Sequence, residues 1–191
     1  MPNKTLSNIE KLLINKRDEI LIKATLRGDS KSFEHLISYY KKRICALGMS
    51  FFRNLDDTDD FMQEVFVKVY MNLSSFKFTS SFRTWITKIA YNAAVNSITR
   101  RQEYAPLADE ELIVAKDLTP EDEEIKKITL EVIREGISLL PENFGACVEM
   151  YFFHGLKYSE ISEITGFPVN TVKSHIFRAK KLLAQRLKGV L

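Results

Sequence analysis

Cysteine is nearly missing from this sequence. The two copies among 191 residues, Cys45 and Cys147, stand far apart and form no Cys-x-x-Cys pair. His35, His154 and His175 are equally scattered. No cluster has zinc-ligand spacing, so no metal, no cofactor and no disulfide framework is expected, only two reduced and mostly buried thiols. Glycine (7) and proline (5) are too scarce for a fold built from many short strands and tight turns. Long apolar runs are lacking as well. Leu12-Leu13-Ile14 is followed at once by Asn15-Lys16-Arg17, which excludes a signal-peptide core and a membrane span and predicts a cytosolic protein. There is no phosphate-cradling glycine loop, no nucleophile elbow and no paired carboxylates in a cleft motif. The chain is therefore not expected to be an enzyme or to take a small-molecule substrate.

What is present is helix-forming and segregated by charge. Apolar residues make up 45% of the chain, enough for a packed core. Net charge is only +3, yet residues 102–124 hold nine acidic side chains against Lys116 alone, a segment charge of −8 that leaves +11 on the remainder. Two basic blocks thus flank an acidic connector, and a basic block is the electrostatic footprint of a polyanion partner. The connector carries Pro106 and Pro120 and no sustained apolar period, so it reads as an extended linker. The expected fold is all-α: two small helical domains joined by a flexible acidic linker, the C-terminal one a helix-turn-helix. The expected boundaries are a lead-in at 1–17, a first domain at 18–101, the linker at 102–125 and a second domain at 126–191.

In the first block Phe33, Leu36, Ile37 and Tyr40 repeat at helical spacing. The run Asp56-Asp57-Thr58-Asp59-Asp60 suits a helix N-terminus, where side-chain oxygens accept orphan amides and negative charge matches the dipole. Phe61, Val65 and Val69 follow as its buried stripe, with Gln63, Glu64 and Lys68 opposite. Leu73–Ser81 (LSSFKFTSS) is a loop by composition, and Phe82, Trp85, Ile86, Ile89, Ala90 and Ala93 form the apolar face of the next helix. Aromatic and cationic residues interleave here: Phe76, Lys77, Phe78, Phe82, Arg83, Trp85 and Lys88. Aromatic faces stack on bases and cations track a backbone, so the pattern fits a single-strand platform. For Phe82 and Trp85 a core position is the expectation.

In the second block Leu140-Pro141 marks a helix boundary. Ser159–Thr165 reads as a short helix, Gly166-Phe167-Pro168 as a turn, and Thr171 to about Lys188 as a longer helix. Its buried stripe is Val172, Ile176, Ala179, Leu183 and Leu187; Thr171, Ser174, His175, Arg178 and Lys181 line the other face. This is a helix-turn-helix whose second helix suits a major groove, with Lys173 and Arg178 able to reach phosphates. An ordinary helical hairpin with a solvated basic face would carry the same pattern.

Taken together, these segments resemble the extracytoplasmic-function (ECF) class of bacterial sigma factors. Asp56–Phe66 is similar to the polymerase-binding segment of region 2, Phe76 with Ser81–Asn92 to its promoter-melting segment, and Leu140-Pro141, Tyr158–Ile161 and Val169–Ala179 to region 4. The resemblance implies that Asp59, Asp60, Gln63, Glu64 and Phe66 bind core RNA polymerase. It implies that Ser75, Phe76, Lys77, Phe78, Ser80, Arg83, Lys88 and Asn92 bind and open the −10 element as single strand. It implies that Thr171, Lys173, Ser174, His175, Phe177 and Arg178 read the −35 element as duplex. It further implies an inhibitory anti-sigma factor, and through it an indirect membrane association. Three residues depart from the family pattern: Phe78 stands where a small or polar residue is common, and His175 and Gly145 stand where basic residues are frequent. A helix-turn-helix regulator acting without polymerase, or a helical adaptor that binds only protein, would each explain part of the chain. The first leaves Phe61–Phe66 and Phe76–Trp85 without a role. The second requires Lys173 and Arg178 to be dispensable.

Overall fold

The structure, a computed structural model, describes residues 8–104 and 132–187. Among these residues the chain is helical and contains no strand. Helices α1 (Asn8–Leu26), α2 (Ser30–Phe52), α3 (Leu55–Asn72) and α4 (Phe82–Tyr104) form an N-terminal set. Helices α5 (residues 132–138), α6 (Glu142–Val148), α7 (Tyr158–Thr165) and α8 (Val169–Leu187) form a C-terminal set, and a π-helical turn (Glu149–Phe153) extends α6. The expected linker lies outside the described residues from 105 onward, as do residues 1–7 of the lead-in. Helix α1 starts at Asn8 and runs unbroken through the boundary expected at residue 18.

Local chemistry sets the ends of these helices. Gly28, at φ +98°, supplies the left-handed step between α1 and α2. Asp29 caps α2 by accepting from the Lys31 amide at 3.1 Å and the Ser32 hydroxyl at 2.6 Å. Asn54 caps α3, its Oδ1 accepting from the Asp57 amide at 2.8 Å, and Asp56 and Asp57 occupy the first turn where the dipole favours them. The Ser81 hydroxyl accepts from the Thr84 amide at 3.1 Å and caps α4.

The apolar stripes seen in the sequence become the core. Leu36 and Tyr40 of α2, Phe61, Val65 and Val69 of α3, and Phe82, Ile86, Ala90 and Ala93 of α4 are buried together. The Tyr40 hydroxyl donates to buried Asp18, tying α1 to α2, and Arg17 pairs with the same carboxylate at 2.7 Å. Helices α2 and α3 approach closely at Gly48, where an added Cβ would fall 2.8 Å from Phe61 Cδ1 and 2.9 Å from Thr58 Cγ2. Gly48→Ala gains roughly 0.5–1 kcal/mol of helix propensity. It incurs about 1–3 kcal/mol of overpacking. The expected outcome is net destabilisation of about 1 kcal/mol in chemical unfolding, and a stabilised variant would show that the contact yields easily.

The two sets are packed face to face. Ala146, Cys147, Met150, Leu156, Ile161 and Ile164 join the same buried cluster as the N-terminal core. Polar contacts fix the junction. One Glu160 oxygen accepts from the Lys157 amide at 2.8 Å, the other from the Thr84 hydroxyl of α4 at 2.9 Å. His154, 1% exposed, lies between the Arg43 carbonyl (Nε2, 3.1 Å) and the Thr87 hydroxyl (Nδ1, 3.3 Å). The carbonyl can only accept, so Nε2 carries the proton and Nδ1 accepts from Thr87. Burial pushes this imidazole down to about 3, so it is neutral. Glu149 is also buried, and burial pushes its carboxyl up to about 7 against the pull of Arg134.

Candidate nucleic-acid interface

The C-terminal set contains a helix-turn-helix. Helix α7 ends at Gly166, which takes φ +76°, and the Ser162 hydroxyl donates to the Phe167 carbonyl at 2.6 Å to hold the turn. Ile161 and Ile164 of α7 meet Val172 and Ile176 of α8 in the interior. That packing turns Lys173, Ser174, Phe177, Arg178, Lys180 and Lys181 outward as one exposed face, with Thr171 half-buried at its edge. Phe177 is 70% exposed, a large apolar ring among cations. His175 departs from the stripe expected for it. It is half-buried, its ring 4.9 Å from Phe144 and 5.1 Å from Phe167, with Cys147 Sγ 3.9 Å from Nδ1. Burial holds its imidazole below the ordinary histidine range, and nearby Arg178 adds to the effect. An imidazole is flat and largely apolar when neutral, so it packs where an exposed position was expected.

The aromatic loop divides into a buried part and an exposed part. Leu73–Ser75 forms a 3-10 turn, after which the chain bends inward. Phe76, expected to face a base, is buried instead. Its ring lies 5.6 Å from Phe82, 5.2 Å from Trp85 and 4.7 Å from Phe78. A loop can bury a ring when helices on either side leave a slot for it, and here Phe76 completes the cluster begun by Phe82. Lys77, Ser75 and Ser80 remain exposed, as does Phe78 at 46%. Phe78 takes φ +57°, a conformation that bulky residues rarely adopt, and its contact with Phe76 steadies it there. On α4, Lys88 and Asn92 are exposed one turn apart, while Arg83 is half-buried beside the C-terminal set.

Helix α1 supplies the facing wall. Leu12, Asn15 and Lys16 line a cavity of about 220 Å³ together with Phe76, Phe78 and Ser80. Sequence reasoning assigned these α1 residues to a lead-in and missed them. The available signal was Leu12, an apolar residue left exposed by the helical phase of α1.

On α3, Asp59, Asp60, Gln63 and Glu64 are all exposed, and Glu64 pairs with Lys68 at 2.5 Å. Phe66 is half-buried against the core. The acidic surface continues into exposed apolar residues not singled out in the sequence, Val67 (52% exposed) and Met71 (73%). Acidic and apolar groups side by side on one helix make a surface suited to a basic, partly apolar protein partner. Among the described residues no group of His, Cys, Asp and Glu could hold a metal ion, and no helix is long and apolar enough to cross a membrane.

Comparison with known proteins places this arrangement. Residues 36–104 match the family described as Sigma-70 region 2, and residues 130–183 match Sigma-70, region 4. The chain is 30% identical to the ECF RNA polymerase sigma-E factor of Haemophilus influenzae, over 91% of this chain and 97% of that one. It is 30% identical to the RNA polymerase sigma-H factor of Pseudomonas aeruginosa, over 94% and 98% of the two chains. In fold it is similar to CnrH, solved in complex with the cytosolic domain of CnrY (TM-score 0.63, 19% identity, 91% of this chain and 98% of that one). It is also similar to the sigma factor RpoE of Bartonella quintana, solved with the anti-sigma factor NepR (TM-score 0.65, 19% identity, 83% and 98%).

Proposed function

The chain belongs to the ECF sigma factors, and on that premise we propose that it binds core RNA polymerase through α3, opens the −10 element with the Ser75–Ser80 loop and α4, and reads the −35 element with α8. The proposed functional units are residues 18–101 and 126–191, with residues 102–125 as the acidic connector. One observation carries the assignment: an exposed acidic face, a partly exposed aromatic loop beside a cavity, and a cationic recognition helix occur on one chain. A duplex-binding regulator has use only for the third, and a protein-binding adaptor only for the first.

In this reading Asp59, Asp60, Gln63 and Glu64 dock on a basic surface of polymerase, with Phe66 supporting the helix from behind. A base leaving the duplex gives up a few kcal/mol of stacking and pairing. Stacking on Phe78, at about 1–3 kcal/mol per base, offsets much of that. Ser75, Lys77 and Ser80 hold the strand at the loop, Arg83 follows beside it, and Lys88 and Asn92 hold it along α4. Phe76 acts as the support of Phe78 rather than as a stacking face. Thr171, Lys173, Ser174, Phe177 and Arg178 face the −35 groove, while His175 sets the pitch of α8 by packing beneath it. Polymerase supplies the catalysis, and the chain itself has none. An anti-sigma factor holds the chain inactive; two fold relatives were solved with such partners or with a cytosolic domain bound.

Run-off transcription with purified bacterial core polymerase on a genomic promoter pool tests the proposal. New discrete transcripts that require this chain are expected; no new transcripts together with no comigration with core enzyme would overturn it. The duplex-reading role has its own test. Lys173→Ala with Arg178→Ala should weaken holoenzyme binding to promoter duplex by about tenfold or more. Both side chains are exposed, so the melting temperature should not move. Unchanged binding would remove α8 from the interface.

A further inference from the structure

Glu149, in the π-helical turn, is 2% exposed, and its Oε2 accepts no hydrogen bond among the described residues. Arg134 of α5 attracts the carboxyl, yet it does not donate to Oε2. Buried polar atoms are as a rule bonded to protein, water or ligand, and a carboxylate can only accept. An acid buried without a donor is costly, because burial removes the water that its ionised form needs.

Open space lies beside it. Glu149 lines two cavities between α2, α5 and the π-helical turn, one of about 290 Å³ and one of about 820 Å³. Lys42, Ala46 and Arg134 also line both. The larger falls within the roughly 300–1,000 Å³ of small-molecule sites. Ser50 lines it where α2 meets α6, and there a Cβ on Gly145 would fall 3.3 Å from Ser50 Cβ. Charge is sorted by depth. The carboxyl is buried, while Lys41, Lys42 and Arg134 are exposed at the mouth. With Arg43 in the smaller cavity and Arg53 in the larger, five cations surround Glu149 against two further carboxylates, Asp59 and Glu135. Half-buried Phe153 adds a ring to the wall of the smaller cavity. A ligand that fits this order carries N–H donors at one end, a flat apolar face, and several negative charges at the other end. A nucleotide has these parts. Guanine presents two adjacent N–H donors on one edge, an arrangement that pairs with both oxygens of one carboxylate. Adenine and cytosine set an acceptor beside their donor, and that acceptor would face a carboxylate oxygen.

We propose that this cleft binds a guanine nucleotide, with Glu149 accepting from the base and Lys41, Lys42 and Arg134 holding the phosphates. None of these four residues belongs to the surfaces assigned above to polymerase or to promoter DNA, and the site does not depend on those assignments.

Calorimetric titration of the full chain tests it. GTP should bind saturably. ATP and inorganic triphosphate should bind about tenfold more weakly or worse, since a site built to hydrogen-bond its ligand rejects one that lacks the matching donors. Inosine triphosphate, which is without guanine's N2 amino group, should also lose about tenfold, the worth of one hydrogen bond to a charged group. Glu149→Gln should weaken GTP binding about tenfold, because its amide turns a donor toward the base. It should leave triphosphate binding unchanged. A neutral amide is easier to bury than an ionisable acid, so the melting temperature should not fall. Lys42→Ala should weaken GTP and triphosphate alike. No binding of GTP overturns the proposal, and so does equal binding of GTP, ATP and triphosphate, which would mark a basic surface only. Glu149→Gln binding GTP as tightly as wild type overturns it too. If that variant fails to fold, the unmodified chain decides: equal affinity for GTP and inosine triphosphate overturns the proposal.

Discussion

Asp60→Lys combined with Glu64→Lys is expected to weaken binding to core RNA polymerase by roughly a hundredfold or more, because it sets like charge against a basic partner surface. The fold should hardly notice. Both positions are exposed on α3, one helical turn apart. Asp60 lies beyond the first turn of a helix that starts at Leu55, so little of its interaction with the dipole is lost. Glu64 gives up its pair with Lys68, and an exposed pair of that kind is worth about 0.3–0.5 kcal/mol. A drop of several degrees in melting temperature would therefore be out of proportion to these losses. It would mean that the acidic face supports the helix. The neutral pair Asp60→Asn and Glu64→Gln should fall between wild type and the reversal, and its deficit should shrink as salt rises. If the reversed chain comigrates with core enzyme as well as wild type does, α3 is not the docking surface. The exposed apolar residues Val67 and Met71 would then need another explanation.

The sequence already shows which residues of each helix face inward, because period 3.6 and burial go together. The buried sets Phe61, Val65, Val69 and Val172, Ile176, Ala179 are where the spacing puts them. Periodicity does not say which neighbour fills a face. Phe76 lies in a stretch with no period, yet it is buried, because Phe82 and Trp85 of the following helix leave a slot for one more ring. His175 sits on the boundary between the two faces of α8, and the neighbouring rings Phe144 and Phe167 decide its direction; both come from other parts of the chain. Gly145 gives no local sign of its role, since a close approach between α2 and α6 is a relation between residues 95 positions apart. His154 is similar. A lone histidine in sequence, it becomes legible only when the Arg43 carbonyl and the Thr87 hydroxyl are seen on either side of it. What was hidden is thus mostly the packing between the two sets and the wall that α1 adds beside the aromatic loop.

Two aromatics of that region, exposed Phe78 and buried Phe82, should give opposite results. Phe82 is 2% exposed and touches Tyr40, Phe76 and Trp85 at ring distances of 5.3, 5.6 and 5.5 Å. Phe82→Ala removes the ring at the centre of this cluster and should cost about 3–5 kcal/mol. That is a large share of the roughly 5–15 kcal/mol by which proteins of this kind are stable, so much of the chain should unfold at modest urea concentration. Loss of transcription in this variant would follow from loss of fold. Phe78→Asn is the informative partner. Asparagine tolerates the left-handed backbone that Phe78 is held in, so relief of strain offsets the lost contact with Phe76. Stability should stay within about 0.5 kcal/mol of wild type. Promoter opening, followed by permanganate reactivity of unpaired thymines, should slow by about tenfold, since a stacked base is worth about 1–3 kcal/mol. Binding to core polymerase should be unchanged. If Phe82→Ala melts like wild type, the aromatic cluster is not the core of the N-terminal set. If Phe78→Asn opens promoters at the normal rate, the ring does not meet the strand, and capture of the displaced base falls to Ser75, Lys77 and Ser80, whose polar groups can hold a nucleotide without stacking on it.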